Sequence, residues 1–212
     1  MTEKIMEFSE SDTEQLFELL RWRRDVRHFK SVPVPDTAFA KMRHAMHLAP
    51  SVGNSRPWRV VRVDTPALRK KIIASHSQAN EEAAKDYSGD RQDQYLKLKL
   101  AGLREAPLQL AIFTDPDPEQ GHGLGRKTMP ETLLYSTVSA IHQLWLVART
   151  MNIGVGWVSI LDKTDINQTL SVNPDWIFTA YLCIGYPKEA SDEPELQQTG
   201  WQKNEEADWL IR

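Results

Sequence analysis

The sequence predicts one mixed domain, α/β or α+β, with strands and helices interspersed along the chain. Four short runs rich in β-branched and aromatic residues are bounded by turn formers, as strands are: WRVVRV (58–63), LQLAIFT (108–114), VGWVSI (155–160) and IFTAYLCIG (177–185). Stretches of helical periodicity separate them. At 212 residues and 41% hydrophobic, the chain can bury one sizeable core, so 1–212 is read as a single domain.

Ser11 and Glu14, ahead of Leu16, Phe17, Leu19 and Leu20, read as a capping box that opens an amphipathic helix running into RWRRDVRHF (21–29). A second helix starts near Asp36, with Phe39, Met42, Ala45, Met46 and Ala49 on one face, and stops before Pro50. The loop SVGNSRP (51–57) leads into the first strand. One helix follows Asp64-Thr65-Pro66, and another covers much of 78–104. The longest spans about 131–151 and ends at Asn152 and Gly154. Its apolar residues at 133, 134, 138, 141, 144, 145 and 148 make a broad stripe, fit for a core helix or a dimer interface. The Pro- and Gly-rich stretch 115–130 is too long for an ordinary connection and reads as a binding loop or mobile lid. Residues after Tyr186 read as an extended arm.

With 26 Lys plus Arg against 29 Asp plus Glu, the net charge of −3 gives no global reason to seek nucleic acid or an anionic membrane. The first residues lack the pattern of a signal peptide, and no apolar run reaches the roughly 18–20 residues a bilayer span needs. A cytoplasmic protein is expected. Cys183, the single cysteine, lies in an apolar run and reads as a buried thiol. GHGLGRKT is not a phosphate loop, because Arg126 separates glycine from lysine, and the spacing of Gly121, Gly123 and Gly125 is wrong for a dinucleotide fingerprint. His44 and His47 lie three apart on a helix, but no third ligand completes a metal site. His142 reads as an interior or interface group. No GxSxG elbow marks a hydrolase.

Two segments carry a chemical signal. Arg21, Arg23, Arg24 and Arg27 fall within seven residues around one acid, Asp25, where a helix ends. Planar guanidinium groups grip phosphate oxygens in pairs, so this is the best local anion site. In APSVGNSRPW, the polar side chains and the open Gly53 backbone suit the polar edge of a flat ring.

An arginine-rich helix end, then APSxxNxxPW, then Gly154-Val155-Gly156-Trp157, then IGYP: in this order and spacing, over nearly the whole chain, the sequence resembles the nitroreductase-like flavoprotein family. The resemblance implies an α+β fold, with a central, mainly antiparallel sheet flanked by helices, in an intertwined homodimer. It implies FMN at the dimer interface, with Arg23 and Arg27 on its phosphate and Pro50, Ser51 and Asn54 on its ring. Arg24, Asp25, Val26, Gly53, Leu100, Gly156 and Ser159 complete the implied contacts. Arg56 stands where the wider family usually has glutamine.

A finer resemblance, carried by RRDVR (23–27), ANEEAA with SGDRQ and LKLAGLREAPL (79–108), GVGWVSI (154–160) and EPEL with GW (193–201), is to the branch that breaks down reduced FMN with O2 to supply the lower ligand of vitamin B12. FMN would then be consumed as a substrate, and a separate flavin reductase would supply it reduced. The stretch 78–105 would be a lid over the flavin and 186–212 a C-terminal arm. Asp25 fits that branch. Ordinary nitroreductases usually carry serine there, and a carboxylate beside an anionic reduced ring is repelled unless it has a proton to move. Asp25 and then Ser159 are the candidate catalytic residues. The rival readings are an FMN-dependent NAD(P)H reductase of nitro, quinone or corrin substrates, and a flavin-binding protein without catalysis.

Overall fold

The computed structural model describes residues 6–97 and 102–212. Helix α1 (Glu10–Trp22) opens on a capping box two residues earlier than the sequence suggests. The Ser9 backbone amide donates to Asp12 Oδ2 at 2.8 Å, and the Asp12 amide donates back to Ser9 Oγ at 3.3 Å. Both Ser9/Asp12 and Ser11/Glu14 have the right spacing, but only the first closes both bonds. The helix buries none of its residues in the protomer, and Leu16 and Phe17 stay exposed.

Helix α2 (Asp36–His47) buries Ala38, Met42, Ala45 and Met46; of the expected stripe, Phe39 is half-buried and Ala49 is buried just past the helix end. Strands β1 (Trp58–Arg62), β2 (Leu108–Thr114), β3 (Gly154–Val158) and β4 (Ile177–Gly185) fall within two residues of their expected bounds. They form one antiparallel sheet in the order β1-β2-β4-β3. Helix α3 (Pro66–Ala83) has proline in its first turn, where a missing N–H costs nothing. The single helix expected over 78–104 is instead the end of α3, then α4 (Asp90–Lys97), then α5 (Gly102–Glu105). Gly89, with φ at +58°, makes the turn that opens α4. Helix α6 (Thr132–Thr150) is the long one, while α7 (Lys163–Leu170) and α8 (Glu195–Gln198) went unforeseen because neither carries an apolar stripe.

The sheet is covered on both faces. Leu108, Leu110, Ile112, Leu182 and Ile184 pack against α2 and α6; Ala111, Phe113, Tyr181 and Cys183 pack with Ile72 of α3 and Ile166 of α7. Burial on both faces is why β2 and β4 read as continuous apolar runs. The exception, Gln109, is satisfied: its amide donates to the Leu103 and Ala106 carbonyls, and its oxygen accepts from Tyr181 Oη at 2.7 Å. Burial pushes the Cys183 thiol up, as expected of an inert structural cysteine.

The 115–130 stretch is packed down. A Cβ on Gly53 (φ +57°) would sit 2.8 Å from the Leu124 carbonyl oxygen, and one on Gly121 (φ +87°) 2.7 Å from that of Gly53, so glycine is required on both sides. Gln120 donates to the Asn54 carbonyl at 2.6 Å. The close approach at Gly53 is thus taken by this loop. On the opposite flank, Trp201 of the C-terminal arm packs on Tyr87 and Tyr95, with the Arg91 guanidinium 4.3 Å from its ring centre. The arm therefore lies against the α3–α4 region. None of the described helices is long and apolar enough to cross a membrane.

Candidate active site

Beyond α1 the chain turns extended, and residues 25–26 run parallel to the free edge of β3: Asp25 bridges to Val155, and the Val26 amide donates to the Val155 carbonyl at 3.1 Å. Gly156 permits this, since a Cβ there would lie 2.1 Å from the Val26 carbonyl oxygen. The edge pairing fixes residues 24–28 around a cavity of about 640 Å³, within the range of small-ligand sites, with Arg23 just outside its lining. Arg24, Asp25, Val26 and Arg27 form one wall; Trp145 and Arg149 of α6 form another; the arm, including Lys188, Glu193 and Glu195, closes the third.

The four arginines divide into two pairs. Arg21 donates twice to Asp192 Oδ2, and Arg24 donates through Nε and Nη2 to the Asp192 carbonyl and through Nη1 to that of Arg23. Those two hold the arm. Among the described residues the Arg23 guanidinium donates no hydrogen bond and lies over the Trp145 ring, 5.0 Å from its centre. The Nε of Arg27 is buried with no hydrogen-bond partner, 3.6 Å from Asp25 Oδ2 and 3.4 Å from Glu195 Oε2. A buried guanidinium with idle donors fits an incoming phosphate.

Asp25 accepts the Trp157 amide through Oδ1 at 2.8 Å. Protein crowds its carboxylate on most sides, yet 39% of its side-chain surface remains open. That crowding raises its pKa above the usual carboxylate value, against the opposing pull of the Trp157 amide and Arg27; Glu195 adds a further upward push. Such a group can hold a proton and give it up. Glu105 knits the rim, accepting the Phe29 amide at 2.9 Å and Lys188 Nζ at 2.7 Å, and these partners hold its pKa down.

The other expected contacts lie outside this cavity. Ser159 is exposed just past the end of β3, two residues beyond the Trp157 amide that holds Asp25. Ser51 Oγ accepts the Arg56 amide at 3.0 Å, and the Val52 amide donates to Ser136 of α6. Ser136 and Trp145 are nine residues apart on α6, about 13 Å along its axis, so one protomer keeps the Pro50–Asn54 segment and the arginine cradle at separate stations. The Arg56 guanidinium lies against His47. Leu100 lies outside the described residues. His44 and His47 are exposed, and among the described residues no cluster of three or more His, Cys, Asp or Glu could hold a metal. His142 is exposed in the protomer, its pKa lowered by partial burial and by Arg23. Glu195, Lys188 and Trp145 were not among the expected site residues; EPEL gave the one available signal, and its return to Arg27 is a tertiary fact.

A profile of the nitroreductase family matches residues 20–186. The chain is 50% identical over 207 residues to the 5,6-dimethylbenzimidazole synthase of Rhodobacter capsulatus, covering 98% of this chain and all of that one. It is 52% identical over 195 residues to that of Rhodospirillum rubrum, covering 92% of each. Among solved structures, an iodotyrosine deiodinase bound to FMN and 3-iodo-L-tyrosine superposes with a TM-score of 0.72 at 19% identity, over 93% of this chain and 97% of the other. That likeness establishes the fold.

Proposed function

The chain belongs to the nitroreductase family, and we propose that within it the protein acts as a 5,6-dimethylbenzimidazole synthase, converting reduced FMN and O2 to 5,6-dimethylbenzimidazole with release of D-erythrose 4-phosphate. The observation that carries this reading is the half identity to curated synthases over nearly the full length of both chains. The cradle agrees with it. Arg23 and Arg27 have donors free for a phosphate, and Asp25 stands beside them with one oxygen fixed by Trp157 and the other unbonded.

When bound, reduced FMN supplies both the electrons for O2 and the carbon skeleton of the product. The residues of the chain bind, orient and move protons. Arg27 and Arg23 fix the phosphate end. Asp25 takes and returns a proton at Oδ2, which the raised pKa suits. Ser159, beyond the strand end, relays or fixes a proton near the ring. The Pro50–Asn54 segment orients the ring from a second copy of the chain, which accounts for its distance from the cradle of its own protomer and for the uncovered faces of α1 and α6. Residues 78–105, with the Trp201 clasp, close over the flavin. A separate reductase supplies reduced FMN, and the protein works in the cytoplasm.

The test is to mix the protein with chemically reduced FMN in air and analyse the small molecules by mass spectrometry. 5,6-Dimethylbenzimidazole is the expected product. Flavin recovered intact, with turnover of NAD(P)H, would make the protein a reductase; intact flavin without turnover would make it a binding protein.

A further inference from the structure

Arg27 is shared by two carboxylates that reach it from opposite ends of the chain. Its Nε lies 3.6 Å from Asp25 Oδ2 and 3.4 Å from Glu195 Oε2, and neither contact closes as a hydrogen bond. The Arg27 side chain is only 12% exposed, so the guanidinium has little water to turn to. An arginine this buried beside a single carboxylate would close onto it as a short, paired bridge. Here it stands between two.

We infer that Glu195 is a positioning residue for Asp25: by sharing Arg27 it keeps the guanidinium from closing onto the Asp25 carboxylate. The inference deepens the synthase reading and rests on it for the role of Asp25. A carboxylate fully bridged to arginine holds its charge and gives up its capacity to carry a proton near neutral pH. Glu195 draws Arg27 aside and adds a negative charge of its own, and both effects keep the proton on Asp25.

The other charged groups around Asp25 are mostly engaged elsewhere. On its own segment, Arg24 is bonded to the Asp192 and Arg23 carbonyls, Arg23 lies over Trp145, and His28 lies 3.8 Å from Glu105. Lys188 of the arm is paired with Glu105. Arg149 of α6 and the arm residues Glu189 and Glu193 line the same cavity, and Cys183 of β4, held as a neutral thiol, lies on the sheet side. Arg27 and Glu195 are the charged side chains that shift Asp25, and Arg23 is coupled to it through its own charge.

The test is made on the full-length protein without flavin, labelled with 13C at the aspartate carboxyls. The Asp25 signal is assigned by its absence in Asp25→Asn and titrated by NMR. In Glu195→Gln the Asp25 midpoint moves to lower pH. In Glu195→Asp, which keeps the charge on a shorter stem, it moves less, and this variant decides the matter if the glutamine variant misfolds by circular dichroism. A midpoint that stays or rises in the folded variant overturns the inference. With reduced FMN and O2, Glu195→Gln slows product formation at neutral pH about tenfold, whereas in an Asp25→Asn background it changes the rate less than about twofold. A lowered midpoint in a protein that makes no dimethylbenzimidazole would leave the positioning intact and sink the synthase reading. Product formation with an unmoved midpoint would do the reverse.

Discussion

Oδ1 of Asp25 accepts the backbone amide of Trp157 at 2.8 Å, so the edge of β3 that Gly156 opens to residue 26 also sets the rotation of the carboxylate. The bond fixes one oxygen and leaves Oδ2 toward Arg27. Asp25→Asn keeps an oxygen for the Trp157 amide but removes the basicity. Formation of dimethylbenzimidazole from prebound reduced FMN in a single turnover should fall about 10² to 10⁴-fold, with binding little changed. Near-normal product would shift the proton-transfer role to Ser159.

Arg27→Ala should weaken FMN far more than riboflavin, because the idle Nε donor is placed for a phosphate that riboflavin lacks. A charge-assisted hydrogen bond is worth about 1.5–3 kcal/mol, or roughly 10-fold to over 100-fold in affinity. Fluorescence titration with both flavins checks this; equal losses would place Arg27 against the ring or in the scaffold.

The raised pKa of Asp25 has a thermal consequence. Its proton is held more tightly in the folded chain than in the unfolded one, so ionising it costs stability as pH rises through the folded pKa. Asn removes that cost. Asp25→Asn should therefore melt slightly higher than the parent at pH 8, a gain kept small by the open face of the carboxylate. Below about pH 3, where both states are protonated, the gain should vanish.

Tyr181→Phe should destabilise the fold by about 1–3 kcal/mol, since it strips the hydroxyl from Gln109 and leaves a buried amide oxygen unpaired. In a chain of this size that lowers the melting temperature by roughly 3–10 °C. An unchanged melting temperature would mean that water replaces the hydroxyl.

Light scattering should give about twice the 24.3 kDa chain mass. A monomer that still binds FMN would mean that the Pro50–Asn54 segment does not act in trans.

Strands β2 and β4 were legible because burial on both sheet faces makes them nearly continuous apolar runs, β1 and β3 by their β-branched and aromatic residues, and α2 and α6 because one-sided burial gives a stripe. What stayed hidden is what only tertiary contact decides. No local pattern distinguishes Arg24, bonded to the Asp192 carbonyl, from Arg27, left with an idle Nε. Nor does sequence spacing reveal that residues 25–26 run along the edge of β3, that Phe29 bridges to Pro187, or that Glu195 returns to Arg27. Helix α7 lacked a stripe because Ile166 is its one buried residue.

The bond between Arg24 and the Asp192 carbonyl joins residues 168 positions apart, and this has a consequence for the order in which the protein matures. During synthesis, at about 5–20 residues per second, the arginines emerge many seconds before the carboxylates and carbonyl that will occupy them. Until the arm is made, this stretch is an unneutralised cationic segment, open to any polyanion nearby. The sheet and its helices need no residue of the arm to form their core, so the scaffold can fold first. The charge arrangement around Asp25 is then a late acquisition, completed when the arm brings Glu195 to Arg27.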